Sequence, residues 1–197
     1  SFGESANPPS SISLTTAGAT NFENLAGTTS AETLNGDANA NILIGNSGAD
    51  TLNGNDGNDN LYADTTSGSG IASGVDTDDN LYGGAGNDIL YASAGDNTLD
   101  GGTGADTIYS GTGSDVIVIR SGDGGSSISD ADTLADFSDG VDLIGLSSLQ
   151  YSDLTVEQGT GSYSSHVVVK KTDTGEFLIV IQNTSLSSIS DADFSAI

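Results

Sequence analysis

A nine-residue period dominates this sequence and constrains the fold more than any other feature. Ten blocks fit the period: five run without a gap from Gly18 to Tyr62, and five run from Gly74 to Val118. An eleven-residue insertion, Ala63 to Ser73, separates the two series. A fixed period indicates a repeat protein, in which each unit buries its apolar face against its neighbours.

Two columns of the repeat carry most of its physical information. The eighth position is always aliphatic: Leu25, Leu34, Leu43, Leu52, Leu61, Leu81, Leu90, Leu99, Ile108 and Ile117. The sixth is acidic or Asn: Glu23, Glu32, Asn41, Asp50, Asp59, Asp79, Asp88, Asn97, Asp106 and Asp115. Small residues fill most of the first five positions. Each block therefore predicts a turn followed by a short strand, whose buried side chain stands at position eight.

Two blocks carry a resemblance to a known family. The blocks Gly83 to Tyr91 and Gly101 to Tyr109 match the pattern Gly-Gly-x-Gly-x-Asp-x-aliphatic-x at every defined position. In this the chain resembles the RTX family of calcium-binding nonapeptide repeats. The resemblance implies an all-β fold: a right-handed parallel β-roll (a solenoid) with calcium in the turns, followed by a C-terminal β cap. Two consecutive blocks would make one coil.

The acidic column explains why such a roll needs a cation. Blocks eighteen residues apart would stack at the ordinary inter-strand spacing of roughly 4.8 Å, which brings their position-six carboxylates together. Two such anions repel each other, and a Ca²⁺ ion between them reverses the sign of the interaction. Backbone carbonyls of the turns would complete its shell of oxygen ligands.

The resemblance also implies a set of calcium ligands and an upper limit on the ions. The side-chain ligands would be Asp50, Asp59, Asp79, Asp88, Asp106, Asp115 and Asn41. The turn ligands would be Gly45, Ser47, Gly48, Gly54, Asp56, Gly57, Gly83, Ala85, Gly86, Gly101, Thr103 and Gly104. Asp132 would follow the last repeat, with Asp136 as a further candidate. Five blocks on each edge leave four gaps per edge, so we expect at most eight inter-turn ions.

Several blocks depart from the pattern. Asn41 and Asn97 each offer one neutral oxygen, so we expect weakened or missing ions there. Glu23 and Glu32 are longer and lie in turns with little glycine, so we interpret their two blocks as an N-terminal cap. The insertion leaves two arrangements open. Asp59 stacks with Asp79 if the insertion forms a coil, and with Asp88 if it is a loop.

Outside the repeats the composition changes. Residues 1–17 are Ser-rich without a hydrophobic period and predict a linker, and residues 18–118 form the predicted roll with its insertion at 63–73. Residues 119–197 resemble the cap and export region of RTX proteins. Within them, the segments 166–171 and 176–182 flank a Thr-Asp-Thr-Gly turn and predict a β-hairpin.

The charge of the chain excludes several functions. It carries 28 acidic and 3 basic residues, a formal charge of −25. Nucleic acid is excluded because phosphate binding needs a Lys/Arg surface, and insertion into a membrane is not expected. The sequence has no cysteine, so disulfides and thiolate metal sites are absent. Such a charge favours polyvalent cations as partners.

Catalysis finds little support in the sequence. Neither a His-Glu-x-x-His motif nor a Gly-x-Ser-x-Gly motif occurs, and the one histidine, His166, lies beside three Val residues. Position nine holds Tyr62, Tyr82, Tyr91 and Tyr109. These rings either pack across strands or form a sugar-binding face.

We therefore expect a non-enzymatic module that is unfolded at low cytosolic calcium and folds outside the cell. Extracellular calcium modules typically bind calcium with dissociation constants of about 10⁻⁴–10⁻³ M. Such sites would be empty in the cytosol and occupied outside the cell. The expected parent is a large secreted or cell-surface adhesin exported by type I machinery, with this monomeric chain as its capping module. The alternative is a polysaccharide-binding module of an extracellular carbohydrate-active enzyme.

Overall fold

The protein consists of two β-sheets that pack against each other through one hydrophobic core. The computed structural model describes residues 11–13, 24–64 and 77–197. The first sheet contains β1 (Ser11–Ser13), β3 (Thr33–Asn35), β5 (Thr51–Asp56), β7 (Asn80–Ala85), β9 (Thr98–Thr103), β11 (Val116–Arg120), β13 (Leu143–Ser147) and β17 (Phe194–Ala196). The second contains β2 (Asn24–Ala26), β4 (Ile42–Ile44), β6 (Asn60–Tyr62), β8 (Ile89–Tyr91), β10 (Thr107–Tyr109), β12 (Asp132–Leu134), β14 (Leu154–Gln158), β15 (Val167–Lys171) and β16 (Phe177–Ile181).

The helical content of the described residues is confined to short 3₁₀ turns. They span Ile128–Asp130, Tyr151–Asp153, Gly161–Tyr163, Leu186–Ser188 and Asp191–Asp193. Within the described ranges, no helix is long and apolar enough to cross a membrane.

Successive repeats alternate between the two sheets. β3 pairs in parallel with β5, with Leu34 opposite Leu52, and β8 pairs in parallel with β10, with Leu90 opposite Ile108. Equivalent positions eighteen residues apart therefore stack directly, so that two blocks make one coil. This confirms the parallel β-roll predicted from the repeat.

The eighth position of the repeat builds the core. From Leu34 to Ile117 every position-eight side chain is fully buried, and Leu25 at the end of the stack is 8% exposed. The flanking positions seven and nine face outward, because successive side chains in a strand alternate between the two faces of the sheet. One apolar residue per short strand is enough here, since each one packs in a row with its equivalents above and below.

The pairing across the insertion decides between the two arrangements left open by the sequence. β5 pairs with β7 with Thr51 opposite Asn80, and β6 pairs with β8 with Asn60 opposite Ile89. Both offsets are eleven residues longer than the usual eighteen, so the insertion adds no coil to the stack and Asp59 stacks with Asp88. Ala63 itself is buried in the roll, and its N–H donates to the Tyr91 carbonyl at 2.9 Å. Residues 65–73 lie outside the described part of the chain.

The parallel stacking continues after Val118. β12 pairs in parallel with β10, and β13 pairs in parallel with β11. The predicted hairpin is present as the antiparallel pair β15 and β16, and β16 joins the second sheet beside β12. At the other end, residues 11–13 of the predicted linker form β1 and pair with β3; the remainder of residues 1–17 lies outside the described ranges.

Glycine is required where the turns of neighbouring coils approach most closely. Gly104 has φ +134°, and a Cβ on it would lie less than 3.0 Å from the carbonyl oxygen of Gly86 in the preceding coil. Gly122 also has a positive φ, +102°, but a Cβ there would meet nothing within 4 Å. A substitution at Gly122 therefore causes backbone strain alone, whereas one at Gly104 causes both backbone strain and steric overlap.

We predict that Gly104→Ala destabilises the calcium-loaded protein more than Gly122→Ala. The second substitution costs about 1–3 kcal/mol, because a side chain is strained at positive φ. The first adds a clash with backbone that cannot move without separating two coils. Denaturant unfolding in calcium measures both, and equal losses of unfolding free energy would contradict the close stacking of the turns.

Candidate metal centre

Position six of the repeat forms two rows of buried polar side chains, one along each edge of the roll. We call the turns that lead into the first sheet the first edge, and those that lead into the second sheet the second edge. The first edge presents Glu32, Asp50, Asp79, Asn97, Asp115 and Asp142, and the second presents Asn41, Asp59, Asp88, Asp106 and Asp132. All of them are buried.

Each row is held in register by hydrogen bonds along the stack. On the second edge, the N–H of Asp59 donates to Oδ1 of Asp88 at 2.7 Å, and the N–H of Asp88 donates to Oδ1 of Asp106 at 2.7 Å. Asp106 donates in the same way to Asp132 at 3.0 Å. The first edge repeats this pattern from Glu32 to Asp142. One carboxylate oxygen per turn is therefore committed to the neighbouring coil.

The other carboxylate oxygen of most turns has no hydrogen-bond partner. Buried and unpartnered Oδ2 atoms occur at Asp50, Asp59, Asp79, Asp88, Asp106, Asp115 and Asp132. A buried polar atom without a partner is costly, and a buried charge more so, unless it is paired or binds a metal. These repeated orphan oxygens are where a cation fits.

Backbone carbonyls converge on the same spaces. A Cβ on Gly54 would lie less than 3.0 Å from both Oδ2 of Asp59 and the carbonyl oxygen of Gly83 in the next coil. Gly83 repeats this arrangement with Asp88 and Gly101. The missing Cβ therefore leaves a pocket lined by a carboxylate oxygen and a carbonyl oxygen. These are the hard ligands that Ca²⁺ prefers.

Carboxylates alone do not make up the shell. In the described ranges, no three acidic or histidine side chains come together in a geometry that would hold an ion. A bound cation would therefore take most of its six to eight oxygens from the turn backbone. The residues of this chain fit calcium held by a few carboxylate oxygens and many carbonyls.

Burial shifts the acidity of the two rows. Desolvation raises the pKa of Asp50, Asp79 and Asp88 to about 7, and that of Asp59, Asp106 and Asp115 to about 6. It also raises the pKa of Asp132 and Asp142. Neighbouring carboxylates raise the pKa further, as Asp106 does for Asp88. Without a metal ion, these groups bind protons close to neutral pH.

The predicted turn residues fall into three groups by position. Gly45, Gly54, Gly83 and Gly101 stand at position one and line the pockets described above. Ser47, Asp56, Ala85 and Thr103 stand at position three, where the carbonyls of Ala85 and Thr103 accept the N–H groups of Gly57 and Gly86 at 2.8 and 2.9 Å. Gly48, Gly57, Gly86 and Gly104 stand at position four and have positive φ.

In two blocks that depart from the pattern, the position-six side chain is satisfied by hydrogen bonds from its own turn. The carboxylate of Glu32 accepts the N–H of Thr28 at 3.0 Å and also the Thr28 hydroxyl. The side-chain oxygen of Asn41 accepts the N–H of Asp37 at 2.7 Å. Neither side chain leaves an unpartnered oxygen for an ion. Glu23 lies outside the described residues.

Asp142 continues the first edge although the sequence analysis did not single it out. Its Oδ1 accepts the N–H of Asp115 at 3.2 Å, and its Oδ2 accepts the N–H of Ser138 at 2.8 Å. Asp136 accepts the N–H groups of Ser110 and Gly111 at 2.9 and 3.0 Å. This end of the edge is thus closed by hydrogen bonds. The sequence pattern that could have revealed Asp142 is Asp142-Leu143-Ile144, which matches positions six to eight of the repeat but lacks the turn that normally precedes them.

A fixed positive charge stands at the last turn of the second edge. Arg120, the only arginine in the sequence, pairs with the carboxylate of Asp100, and its Nη1 lies 3.5 Å from Oδ1 of Asp123. Burial raises the pKa of Asp123 to about 6. The repeat pattern contains no arginine, so the periodicity could not reveal this group.

His166 has structural contacts. Its Nδ1 accepts the N–H of Asn183 at 3.0 Å, and its ring packs edge-on against Tyr163 with the ring centroids 6.1 Å apart. The histidine therefore ties the end of β16 to the start of β15.

A parallel roll with buried carboxylates and carbonyl-lined turns defines a metal-binding repeat protein. Residues 27–61, 64–99, 73–108, 82–117 and 91–125 match the family model described as the RTX calcium-binding nonapeptide repeat (4 copies). The repeats of this chain therefore belong to the RTX calcium-binding family, as the resemblance implied, and such repeats bind calcium.

Solved structures that are similar to this chain include a lipase and a subunit of an epimerase. The extracellular lipase LipA from Serratia marcescens is 16% identical, with a TM-score of 0.46 over 89% of this chain and 40% of the lipase. The AlgE6R3 subunit of the mannuronan C5-epimerase from Azotobacter vinelandii is 20% identical, with a TM-score of 0.34 over 86% of this chain and 80% of that subunit. This chain thus spans well under half of the lipase. No curated protein matches the sequence significantly.

We predict that Asp88→Asn removes at least one calcium ion per chain. The amide keeps the oxygen that accepts the N–H of Asp59, so the ladder survives, but it replaces the unpartnered Oδ2 with a donor. Asp96→Asn is the matched control, because Asp96 is exposed and its carboxylate only accepts the N–H of Ser114 at 2.7 Å. Native mass spectrometry counts the ions. The assignment is wrong if both variants bind as many ions as the wild type.

We further predict opposite effects of pH with and without calcium. The folded pKa values of about 6–7 lie above the ordinary value of 3.8. Protons bound to these carboxylates therefore stabilise the metal-free roll, and their contribution is complete only below pH 3.8. This contribution falls progressively as the pH rises above 3.8 and is gone once the pH passes the folded pKa values of about 6–7. Calcium competes with the same protons, so its apparent affinity rises over the same interval.

Circular dichroism at pH 5 and pH 8 tests both signs. In chelator, we expect more β-structure at pH 5 than at pH 8. In a calcium titration, we expect a lower midpoint at pH 8. A metal-free chain that is better folded at pH 8 would show that the buried carboxylates do not control its stability.

Proposed function

We propose that this chain is a calcium-dependent folding, capping and export module of a large secreted or cell-surface adhesin. The observation that carries the proposal is the repeated buried carboxylate oxygen without a partner, found at the same position in seven turns. Such a fold needs cations at these oxygens, and the match to the RTX calcium-binding repeats identifies the cation as calcium. The module itself would have no catalytic activity.

The charge of the chain supports folding that is coupled to calcium. Eight divalent ions, the largest number expected from the ten blocks, would change the net charge of −25 by 16, to −9. Without them, the acids of each row repel their neighbours and lose hydration on burial. Because the unfolded chain does not preform the sites, the free energy of calcium binding becomes free energy of folding.

This coupling suits a protein that has to cross a membrane before it folds. Calcium modules outside the cell typically bind at about 10⁻⁴–10⁻³ M, and a chain with such sites stays metal-free where calcium is much scarcer. It would therefore remain unfolded until export by type I secretion machinery. Outside, calcium would fold it and hold it folded.

The C-terminal segment supports the capping role. An open end of a stack exposes the unpaired backbone groups of its last strands. Here β16 pairs with β12 in the second sheet, and β17 pairs with β13 in the first. Val167, Ile179 and Ile181 are fully buried in the same core as the repeats. The segment therefore continues the core and covers its end.

The polysaccharide-binding alternative depends on free tyrosine faces. Tyr62 and Tyr91 stack with their centroids 5.0 Å apart at 4°, and Tyr91 and Tyr109 stack at 4.5 Å and 8°. The faces between these rings are covered by one another, which favours cross-strand packing over sugar stacking. Glycan binding remains a prediction, for which loss of binding in Tyr91→Ala would be the supporting result.

We predict that the chain folds at a calcium concentration between those of the two compartments. Its radius of gyration should fall from about 48 Å, as expected for an unfolded chain of this length, towards the roughly 16 Å of a compact one. Small-angle X-ray scattering across buffered calcium measures the midpoint, which we expect near 10⁻⁴–10⁻³ M. Magnesium at the same concentrations is the control. A chain already compact at submicromolar calcium would contradict the export role.

A further inference from the structure

Asn97 occupies position six in the middle of the first edge and takes part fully in its ladder. It is 1% exposed. Its Oδ1 accepts the N–H of Asp79 at 2.8 Å, and its own N–H donates to Oδ1 of Asp115 at 2.8 Å. The side chain thus has the same position and the same contacts along the stack as the aspartates on either side of it.

The second side-chain atom distinguishes Asn97 from the aspartates. Its Nδ2 donates to the carbonyl oxygen of Gly95, in the same turn, at 2.9 Å. The corresponding atoms of Asp79 and Asp115 are the unpartnered Oδ2 atoms. Where those turns leave an oxygen without a partner, the turn of Asn97 contains a completed hydrogen bond.

The carbonyl that Asn97 binds is one that faces the next coil. A Cβ on Gly113 would lie less than 3.0 Å from the Gly95 oxygen. On the second edge, the equivalent oxygen of Gly86 faces Gly104 in the same way. The Asn97 amide therefore engages a backbone oxygen of the kind that lines the gaps between coils.

We propose that the Asn97 side-chain amide is a built-in replacement for a metal ion. It donates N–H where an ion would offer positive charge, so the turn closes through a hydrogen bond. An N–H donor also repels a cation at this place. This inference rests on calcium binding in the aspartate turns, and it concerns a turn between two of them whose position-six side chain donates a hydrogen bond instead of leaving an oxygen without a partner.

The two edges of the roll are consequently unequal. On the second edge, Asp59, Asp88, Asp106 and Asp132 form an uninterrupted row of unpartnered oxygens. On the first edge, Asn97 divides the row into one part with Asp50 and Asp79 and another part with Asp115. The turn of Asn97 therefore needs no ion of its own, while on the second edge each turn from Asp59 to Asp132 has an oxygen that needs one.

Asn97→Asp tests the proposal directly. It replaces the N–H donor with an unpartnered carboxylate oxygen of the same size, and we expect at least one additional calcium ion per chain by native mass spectrometry. Asn87→Asp is the matched control: Asn87 is exposed, and its Oδ1 accepts the N–H of Ala105 at 3.1 Å. It adds the same charge, and we expect no additional ion.

Asn97→Ala provides a second measurement in case Asn97→Asp does not fold. It removes the hydrogen bond to Gly95, so we expect a lower melting temperature in calcium with an unchanged number of ions. Loss of an ion in Asn97→Ala would overturn the proposal, because it would show that Asn97 ligates metal. If Asp88→Asn loses an ion but Asn97→Asp gains none, this inference fails and the proposed function stands. A wild type that binds no calcium overturns both.

Discussion

The buried carboxylates that stack along each edge of the roll are the constraint on which the rest of the structure depends. One oxygen of each stacked aspartate accepts a backbone N–H from the preceding coil, which fixes the spacing and register of the turns. In the aspartate turns of the repeats, the other oxygen is buried and has no hydrogen-bond partner. The hydrogen bond therefore brings together groups that repel one another, and we propose that the same feature that orders the stack makes it depend on a cation.

The core and the edges contribute in different ways. A single aliphatic side chain per block forms two opposed rows, which determine that the chain folds as two parallel sheets. This core is thin, and about 1.5–3 kcal/mol for each buried Leu is small beside the entropy of ordering nine residues. In our proposal, the edges determine at which calcium concentration the fold forms. Some turns are closed by protein groups instead: Glu32 by its own turn, Asn97 by its amide, and the end of the first edge by Asp136 and Asp142.

The sequence predicted the parts of the structure that follow from its period. The strands of the roll and the buried row at position eight both follow from counting residues in register. The period could not show how the insertion is accommodated, because either arrangement preserves the pattern within each series. It also missed Asp142, whose preceding turn is irregular, and Arg120, whose partners Asp100 and Asp123 meet only after folding. The hydrogen bond of Asn97 depends on the direction in which the Gly95 carbonyl points, which the sequence does not encode.

Hydrogen exchange of the ladder amides tests the central claim most directly. The N–H groups of Asp59, Asp88 and Asp106 each donate to the carboxylate of the next coil, so their protection reports whether the stack exists. At pH 8 we expect slow exchange of these amides with saturating calcium, and exchange at the rate of an unfolded chain after complete removal of metal by chelator. Protection that persists in the metal-free protein at this pH would contradict the account, because it would mean that the carboxylates stack without a cation.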